Sequence, residues 1–129
     1  MRKPIAIFKV PAKAPTNAPG FERFDVVVVP FPFTDRNADK RRPALILSGS
    51  KAFNASAGSS VMAMITSADN APWPLDSHIS DIKSAGLSAD SVVRMKLFTL
   101  DHQLVLRKAG RLATKDQKTI TRALAKLLS

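Results

Sequence analysis

The chain alternates short apolar runs with polar, turn-forming segments. Residues 25–29 form a nearly continuous β-branched run, which predicts a buried strand because branched side chains pack well on a pleated surface. Pro30 and Pro32 have no amide hydrogen for a sheet ladder, so we expect them to end this strand or to place its last residues at an edge. Further strands are predicted over residues 44–47, 61–65, 73–79, 91–95 and 104–112. Strands this short, separated by turn signals, predict a small, mainly β barrel.

The C-terminal segment changes to a helical period. Thr114 and Gln117 have the spacing of a capping box, in which two side chains satisfy free amides at a helix start. The apolar positions that follow predict a helix packed on the barrel, and they are Ile120, Ala123, Leu124, Leu127 and Leu128. The basic residues of this helix are interpreted as a solvated surface rather than a nucleic-acid contact: Lys115, Lys118, Arg122 and Lys126.

The charge balance narrows the choice of partner. The 129 residues include 20 Lys and Arg against 10 Asp and Glu, a net charge of +10. Residues 1–20 carry four positive charges and no negative one, while residues 94–129 carry nine and two. An excess of charge can serve solubility alone. In so small a domain it favours a polyanionic partner, and its uneven distribution fits nucleic acid.

Composition also excludes several function classes. The chain has no cysteine, so disulfides, thiolate zinc sites and cysteine nucleophiles are ruled out. His78 and His102 are its two imidazoles, and no metal site is predicted. No apolar run reaches the roughly 18 residues needed to cross a bilayer. A cytoplasmic location is therefore expected.

The N-terminal segment differs from the rest of the chain. Residues 1–20 form a basic, proline-rich arm in which residues 5–10 predict a short edge strand. The segment does not have the pattern of a convincing signal peptide. A single domain is expected over residues 21–129.

Candidate chemistry begins where the second strand starts. Lys40, Arg41 and Arg42 precede Pro43 and the apolar run of residues 44–47. A guanidinium group is a rigid fork of N–H donors that matches a phosphate, so arginines at a strand mouth are typical of a phosphate site. Taken alone, an arginine beside a proline is as often part of a surface ion pair.

Six short motifs, in order, resemble the MazF/PemK family of toxins from bacterial type II toxin–antitoxin systems: VVVVPFPFTD, KRRPALILS, AMITS, WPL, SVVRMKLFTLD and GRL. The resemblance covers about residues 21–128. It implies a small SH3-like barrel with helices, usually a homodimer. It also implies a sequence-specific endoribonuclease that cuts single-stranded RNA without a metal or cofactor, inhibited by an antitoxin whose acidic, initially disordered tail fills the RNA groove.

The resemblance assigns two residues to the reaction. Arg42 matches the family's essential arginine, and Thr66 matches its second functional hydroxyl, with Ser67 a weaker candidate for the same phosphate. In a metal-free ribonuclease the 2′-hydroxyl of the RNA attacks phosphorus, which leaves a 2′,3′-cyclic phosphate and a 5′-hydroxyl. Arg42 can stabilise the charge that builds on the phosphate oxygens, although a guanidinium is a poor base. Without the resemblance, Thr66 is interpreted as bonding nearby backbone.

Further cations are assigned to RNA binding. Arg94 matches an arginine that some relatives use, and Lys40 and Arg41 flank Arg42. Certain relatives carry an acidic residue, able to act as a base, two positions after the Arg94 match. This chain has Lys96 there, which puts a carboxylate-base mechanism in doubt and makes Lys96 a phosphate contact. The chain also departs at Phe24, where relatives commonly have glycine before the aspartate.

Three other features allow two interpretations each. Asp76 and His78 have same-face spacing on a strand and resemble an acid–base pair, but a structural histidine is commoner. Phe31 is interpreted as a core residue rather than a base-stacking platform, and Trp73 is left open between the two. His102, next to an aspartate in a turn, is not expected to be functional.

Two rival functions remain open at this stage. One is a non-catalytic toxin on the same barrel that acts by protein contacts, as in a related gyrase-inhibiting family. A gyrase binder has no need to keep Arg42 together with Thr66. The other is a general RNA-binding barrel, which predicts salt-sensitive RNA binding without cleavage products.

Overall fold

One antiparallel sheet of six strands, curled into a half-barrel, organises the chain. The computed structural model describes residues 20–33 and 36–129. The strands lie in the order β4-β5-β3-β2-β1-β6. They are β1 (Asp25–Phe31), β2 (Lys40–Ile46), β3 (Ser59–Ser67), β4 (Ser77–His78), β5 (Ser91–Asp101) and β6 (Arg107–Arg111). With the C-terminal helix α1 (Thr114–Leu127), this confirms the predicted mainly β fold.

Shorter helical segments complete the chain. A helical segment at Ser50–Asn54 continues as Ala55–Ala57 between β2 and β3, and a 3-10 turn at His102–Leu104 precedes β6. No helix of the described residues is long and apolar enough to cross a membrane. The predicted edge strand over residues 5–10 and nearly all of the N-terminal arm lie outside the described residues.

The sheet is buried on both faces, which explains the continuous apolar run in β1. Successive residues of a strand point to opposite faces, so Val26 enters one core while Val27 and Val29 enter the other. The C-terminal helix covers the first face through Ile120 and Ala123. Each of these side chains is almost fully removed from water, and burial of this kind stabilises the fold by roughly 1.5–3 kcal/mol per large aliphatic side chain.

The first hairpin is longer than the sequence suggests. β1 continues through Pro30 to Phe31, and β2 begins at Lys40. Pro30 is tolerated because β6 pairs only with residues 25–28, so the proline lies beyond the end of that neighbour. Within the hairpin, Val29 is opposite Arg42. The basic cluster thus lies on a paired strand, ahead of the predicted start of that strand at residue 44.

Three further strands begin or end at least three residues away from their predicted bounds. The run of residues 73–79 contains only the two-residue β4, because Pro72 and Pro74 interrupt the ladder and Leu75 adopts a left-handed φ of 65°. β5 extends past the predicted end at residue 95 to Asp101, with an irregularity in its pairing to β3. β6 begins only at residue 107, since the preceding residues form the 3-10 turn.

The predicted capping box at the C-terminal helix is wrong. Thr114 is already helical, Ala113 is the extended cap residue, and no side chain caps the amides. The Gln117 side chain instead donates to the carbonyl oxygen of Leu112 at 2.9 Å. Leu127 and Leu128 are also not packed on the barrel as predicted. The helix ends at Leu127, and Leu127 is 38 % exposed and Leu128 72 % exposed.

Asp116 anchors the start of this helix. Its buried carboxylate accepts hydrogen bonds from the amide and hydroxyl of Ser80, at 3.0 and 2.7 Å, and from the amide of Asp81 at 3.0 Å. Burial by itself raises the pKa of Asp116, but these hydrogen bonds outweigh it and hold that pKa below its ordinary value. The helix start is therefore fixed by a tertiary contact rather than by a local cap.

The backbone at Phe24 has the conformation that glycine adopts most readily. Its φ is 76°, in the left-handed region that favours glycine. The phenyl ring packs against the core, and the Arg23 guanidinium lies 4.7 Å from the ring centroid. The chain thus keeps the turn geometry with a side chain that packs against the core.

Candidate functional site

A groove of about 290 Å³ opens where β2 starts, β3 ends and β5 begins. Of the residues predicted for the site, Arg41, Arg42, Thr66 and Ser67 line it together. Lys40, Arg94 and Lys96 do not. The other lining residues are Pro43, Ile65, Asn70, Leu87, Ser88, Ala89 and Ser91. The strand ends, the turn after β3 and the segment before β5 therefore form a small concave surface, to which Arg41 and Arg42 contribute positive charge.

Arg42 stacks on an aromatic ring and has no acid partner among the described residues. Its guanidinium carbon lies 4.9 Å from the ring centroid of Phe31. Its Nε is buried and has no hydrogen-bond partner among the described residues. A buried donor without an acceptor costs about 1–3 kcal/mol, a cost that Arg94 avoids through its carboxylate partner. Phe31, predicted to be a core residue, is half-buried and also meets Phe33 edge-on at 5.5 Å.

Thr66 lines the groove together with Arg42. The last pair that joins β2 to β3 at this end is Ala44 with Met64, and Arg42 and Thr66 each lie two residues beyond it on one face of the sheet. The Thr66 oxygen accepts a hydrogen bond from Nδ2 of Asn70 at 2.6 Å. Because a hydroxyl both accepts and donates, this bond leaves the Thr66 hydrogen available to a ligand.

Asn70 is a site residue that sequence reasoning missed. It belongs to the turn after β3, in which its amide donates to the carbonyl of Ser67 at 3.2 Å. The Ser67 hydroxyl accepts from the amide of Asp69 at 3.1 Å in the same turn. The signal available was the Ser-Ala-Asp-Asn string, which is typical of a turn, but the turn does not by itself say that Asn70 folds back onto Thr66.

Arg94 is engaged in a bidentate ion pair. Its Nε and Nη2 donate to the two carboxylate oxygens of Asp76 at 3.1 and 2.8 Å, and Nη2 also donates to the carbonyl oxygen of Ala71 at 2.7 Å. The hydrogen bond from Arg94 holds the pKa of Asp76 below its ordinary value. The predicted contact of Arg94 with phosphate stays a prediction.

Lys96 lies beside Trp73 and outside the groove. Its Nζ is 4.3 Å from the centroid of the indole, and the Arg94 guanidinium is 6.0 Å away. Trp73 is 42 % exposed, so it is not a core residue. Lys40 is exposed at the first position of β2, opposite Phe31.

His78 and Asp76 do not pair, in agreement with the favoured interpretation of His78 as a histidine outside the reaction. Asp76 is taken by Arg94, and Nε2 of His78 instead contacts the Asp90 carboxylate at 2.6 Å. His102 has a structural position: its Nε2 is 2.7 Å from the hydroxyl of Ser60, and burial lowers its pKa. Within residues 20–33 and 36–129, no group of three or more His, Cys, Asp or Glu side chains could hold a metal ion.

The geometry defines a class of protein first: a half-barrel with a groove lined by arginine and hydroxyl side chains. The match to a known family is more specific. Over residues 22–128 the chain matches the PemK-like, MazF-like toxins of type II toxin–antitoxin systems, and it belongs to that family. No match was found among curated protein sequences.

Solved structures share the fold. The MazF crystal structure from Deinococcus radiodurans is 22 % identical with a TM-score of 0.66, covering 86 % of this chain and 98 % of that one. An endoribonuclease in complex with its cognate antitoxin, from a mycobacterial species, is 18 % identical with a TM-score of 0.65 and coverages of 84 % and 93 %. The toxin MazF-mt6 of Mycobacterium tuberculosis is 19 % identical with a TM-score of 0.62 and coverages of 79 % and 93 %.

Proposed function

We propose that the protein is a sequence-specific endoribonuclease that cuts single-stranded RNA without a metal ion, as the toxin of a type II system. One observation carries the proposal. Arg42, with a buried and unpartnered Nε among the described residues, lines the same groove as Thr66. Charge-assisted hydrogen bonds from a fixed guanidinium are strong in such a site, since little reorganisation is needed when charge develops.

In the proposed reaction the 2′-oxygen of a ribose forms a bond to the adjacent phosphorus while the bond to the 5′-oxygen breaks. The products are a 2′,3′-cyclic phosphate and a 5′-hydroxyl end. Arg42 stabilises the charge on the non-bridging oxygens. Thr66, oriented by Asn70, donates to the phosphate or holds the water that carries the proton from the 2′-oxygen towards the departing 5′-oxygen, which leaves as the 5′-hydroxyl. Arg41 and Ser67 complete the phosphate contacts of the groove.

The proposal includes partners and a location. The antitoxin would place an acidic, initially disordered tail against Arg41 and Arg42, where a carboxylate can take the place of a phosphate. One of the similar structures is a complex of an endoribonuclease with its cognate antitoxin, which supports this partner. The toxin would be a cytoplasmic homodimer, with a basic arm over residues 1–20 ahead of the toxin domain of residues 21–129.

The test incubates the purified protein with a mixed RNA pool in EDTA and identifies the new ends. We expect 5′-hydroxyl and 2′,3′-cyclic phosphate ends from the parent protein and none above background from Arg42→Ala. Arg122→Ala is the matched control. It removes the same charge from an exposed position of the C-terminal helix, which packs on the sheet face opposite Arg42, so cleavage by this variant should equal that of the parent.

Three outcomes would contradict the proposal. An Arg42→Ala protein as active as the parent would remove Arg42 from the reaction. Intact RNA with every variant, alongside stalled DNA supercoiling by gyrase, would favour a protein-binding toxin instead. RNA that is bound in a salt-sensitive manner but never cut would identify a general RNA-binding barrel.

A further inference from the structure

We propose that Trp73 is a stacking platform for one unpaired RNA base, with Lys96 beside it for the adjoining phosphate. The proposal rests on the proposed action on RNA and adds a subsite outside the groove. Proteins that bind single strands commonly combine an aromatic face for a base with a cation for the backbone, and this pairing tolerates many sequences. Trp73 and Lys96 bring both elements together at one place on the surface.

The exposure and the neighbours of Trp73 favour a ligand with a π-face and a negative charge. The side chain is 42 % exposed, which is unusual for the largest apolar residue type unless it meets a partner. Lys96 Nζ lies 4.3 Å from the ring centroid, and the Arg94 guanidinium lies 6.0 Å away. Lysine is depleted at protein–protein interfaces, so Lys96 beside the ring favours a nucleotide over a protein partner.

The loop that carries Trp73 is fixed in advance. Asp76 accepts a hydrogen bond from the amide of Trp73 at 3.0 Å, and the amide of Asp76 donates back to the carbonyl of Trp73 at 3.0 Å. Arg94 ties both ends of the loop down, through Asp76 and through the carbonyl of Ala71. Leu75 packs against the core. An aromatic platform held this way loses little conformational entropy when a base stacks on it.

The platform lies near the groove. Arg94 on β5 pairs with Met64 on β3, and Thr66 is two residues further along β3 on the same face. That separation is roughly 7 Å along the strand. Because Arg94 also holds the loop that carries Trp73, the proposed platform would position a nucleotide close to the scissile phosphate. In this arrangement Arg94 is a positioning residue for the platform and makes no contact with substrate.

The chain supplies its own probe, because Trp73 is its only tryptophan. Indole fluorescence is quenched when a base stacks on the ring. The experiment titrates the whole protein with 2′-O-methyl oligoribonucleotides of about 12 nucleotides, within the length that a small barrel covers. These probes lack the free 2′-hydroxyl and are not cut, so binding is read apart from cleavage. Anisotropy of a dye on the oligonucleotide measures affinity independently.

The expected result is saturable quenching that follows the anisotropy curve. Trp73→Ala should weaken binding about 5- to 150-fold, and Trp73→Phe should restore much of the loss. Lys96→Met should lower the slope of log affinity against log salt by about 0.7, the share of one phosphate contact in a single strand. Phe53→Ala removes another exposed aromatic side chain, 38 % exposed, and should bind like the parent protein.

Each other outcome overturns the proposal. Unchanged fluorescence at saturating oligonucleotide, or parental affinity in Trp73→Ala, would show that no base stacks there. Fluorescence that depends on protein concentration but not on oligonucleotide would identify a protein contact instead. Failure of every oligonucleotide to bind would contradict the RNA function as well. If the parent protein cuts RNA but shows no quenching on binding, this inference alone is overturned. The proposed cleavage is tested separately by Arg42→Ala.

Discussion

Arg42 and Arg94 lie on neighbouring parts of one sheet face, yet their surroundings differ. Arg94 has a bidentate carboxylate partner in Asp76. Arg42 stacks on Phe31, and its buried Nε has no acceptor among the described residues. An arginine that is already neutralised fixes structure, whereas an arginine held by an aromatic ring keeps its donors for a ligand. Charge alone therefore does not distinguish the two arginines; what distinguishes them is that Arg94 has a carboxylate partner and Arg42 has none among the described residues.

The largest expected effect comes from replacing each of the two arginines with lysine and comparing the variants. Arg42→Lys keeps the charge but loses the rigid fork, so we expect single-turnover RNA cleavage to slow by about 10²-fold or more, with an unchanged thermal midpoint. Arg94→Lys should slow cleavage much less and lower the thermal midpoint, since the lysine cannot hold Asp76 in a bidentate manner. Equal losses of cleavage in both variants would mean that Arg94 contacts the RNA directly.

A substitution at Asp116 tests how much a buried carboxylate contributes to stability when protein groups donate hydrogen bonds to it. Asp116→Ala leaves the amides of Ser80 and Asp81 without their acceptor, so we expect the free energy of unfolding to fall by about 2–3 kcal/mol. Urea denaturation measures this. Asp39→Ala, at an exposed position, should stay within about 0.5 kcal/mol of the parent. A stable Asp116→Ala protein would mean that water replaces the carboxylate at no cost.

A smaller effect is expected from the hydroxyl beside Arg42. Thr66→Val removes the hydrogen bond to a charged phosphate and should slow cleavage roughly tenfold. Asn70→Ala leaves the hydroxyl in place without its orienting partner, so a loss of about threefold is expected. Both rates come from single-turnover cleavage of one RNA. If Asn70→Ala were the slower variant, Asn70 itself would bind the phosphate.

The smallest expected effect is a change in the thermal midpoint at acidic pH. The hydrogen bond from Arg94 lowers the pKa of Asp76, so the stability that this pair contributes is present above the unfolded value, near pH 4, and disappears as the pH falls through the lowered pKa. Thermal midpoints of the parent and Asp76→Asn should therefore differ at pH 7 and converge below pH 4. Asp116 titrates in the same range in both proteins and cancels in the difference. A gap between the midpoints that stays constant with pH would rule out the ion pair as its source.

Particular residues show how far sequence reasoning reached. The β-branched run of residues 25–29 was enough for a buried strand, because its period fits a sheet covered on both faces. The motif around Arg42 and Thr66 was enough to propose a phosphate site, and the groove contains both. The capping box at Thr114 was wrong, since local spacing cannot reveal that Asp116 bonds a loop 35 and 36 residues away. Asn70 was missed for the same reason, because a turn string does not show where its side chain folds back.

The sequence by itself determined the class of fold and the family, and it singled out Arg42 as the arginine proposed to meet a phosphate. These follow from local period and from motif order, which are properties of short segments. Only the tertiary structure decided which polar groups are already partnered. It pairs Asp76 with Arg94 and not with His78, and it leaves Nε of Arg42 buried without an acceptor among the described residues. Hydrogen-bond partners depend on distances between strands and loops that are remote along the chain, so a pattern along the chain does not contain them.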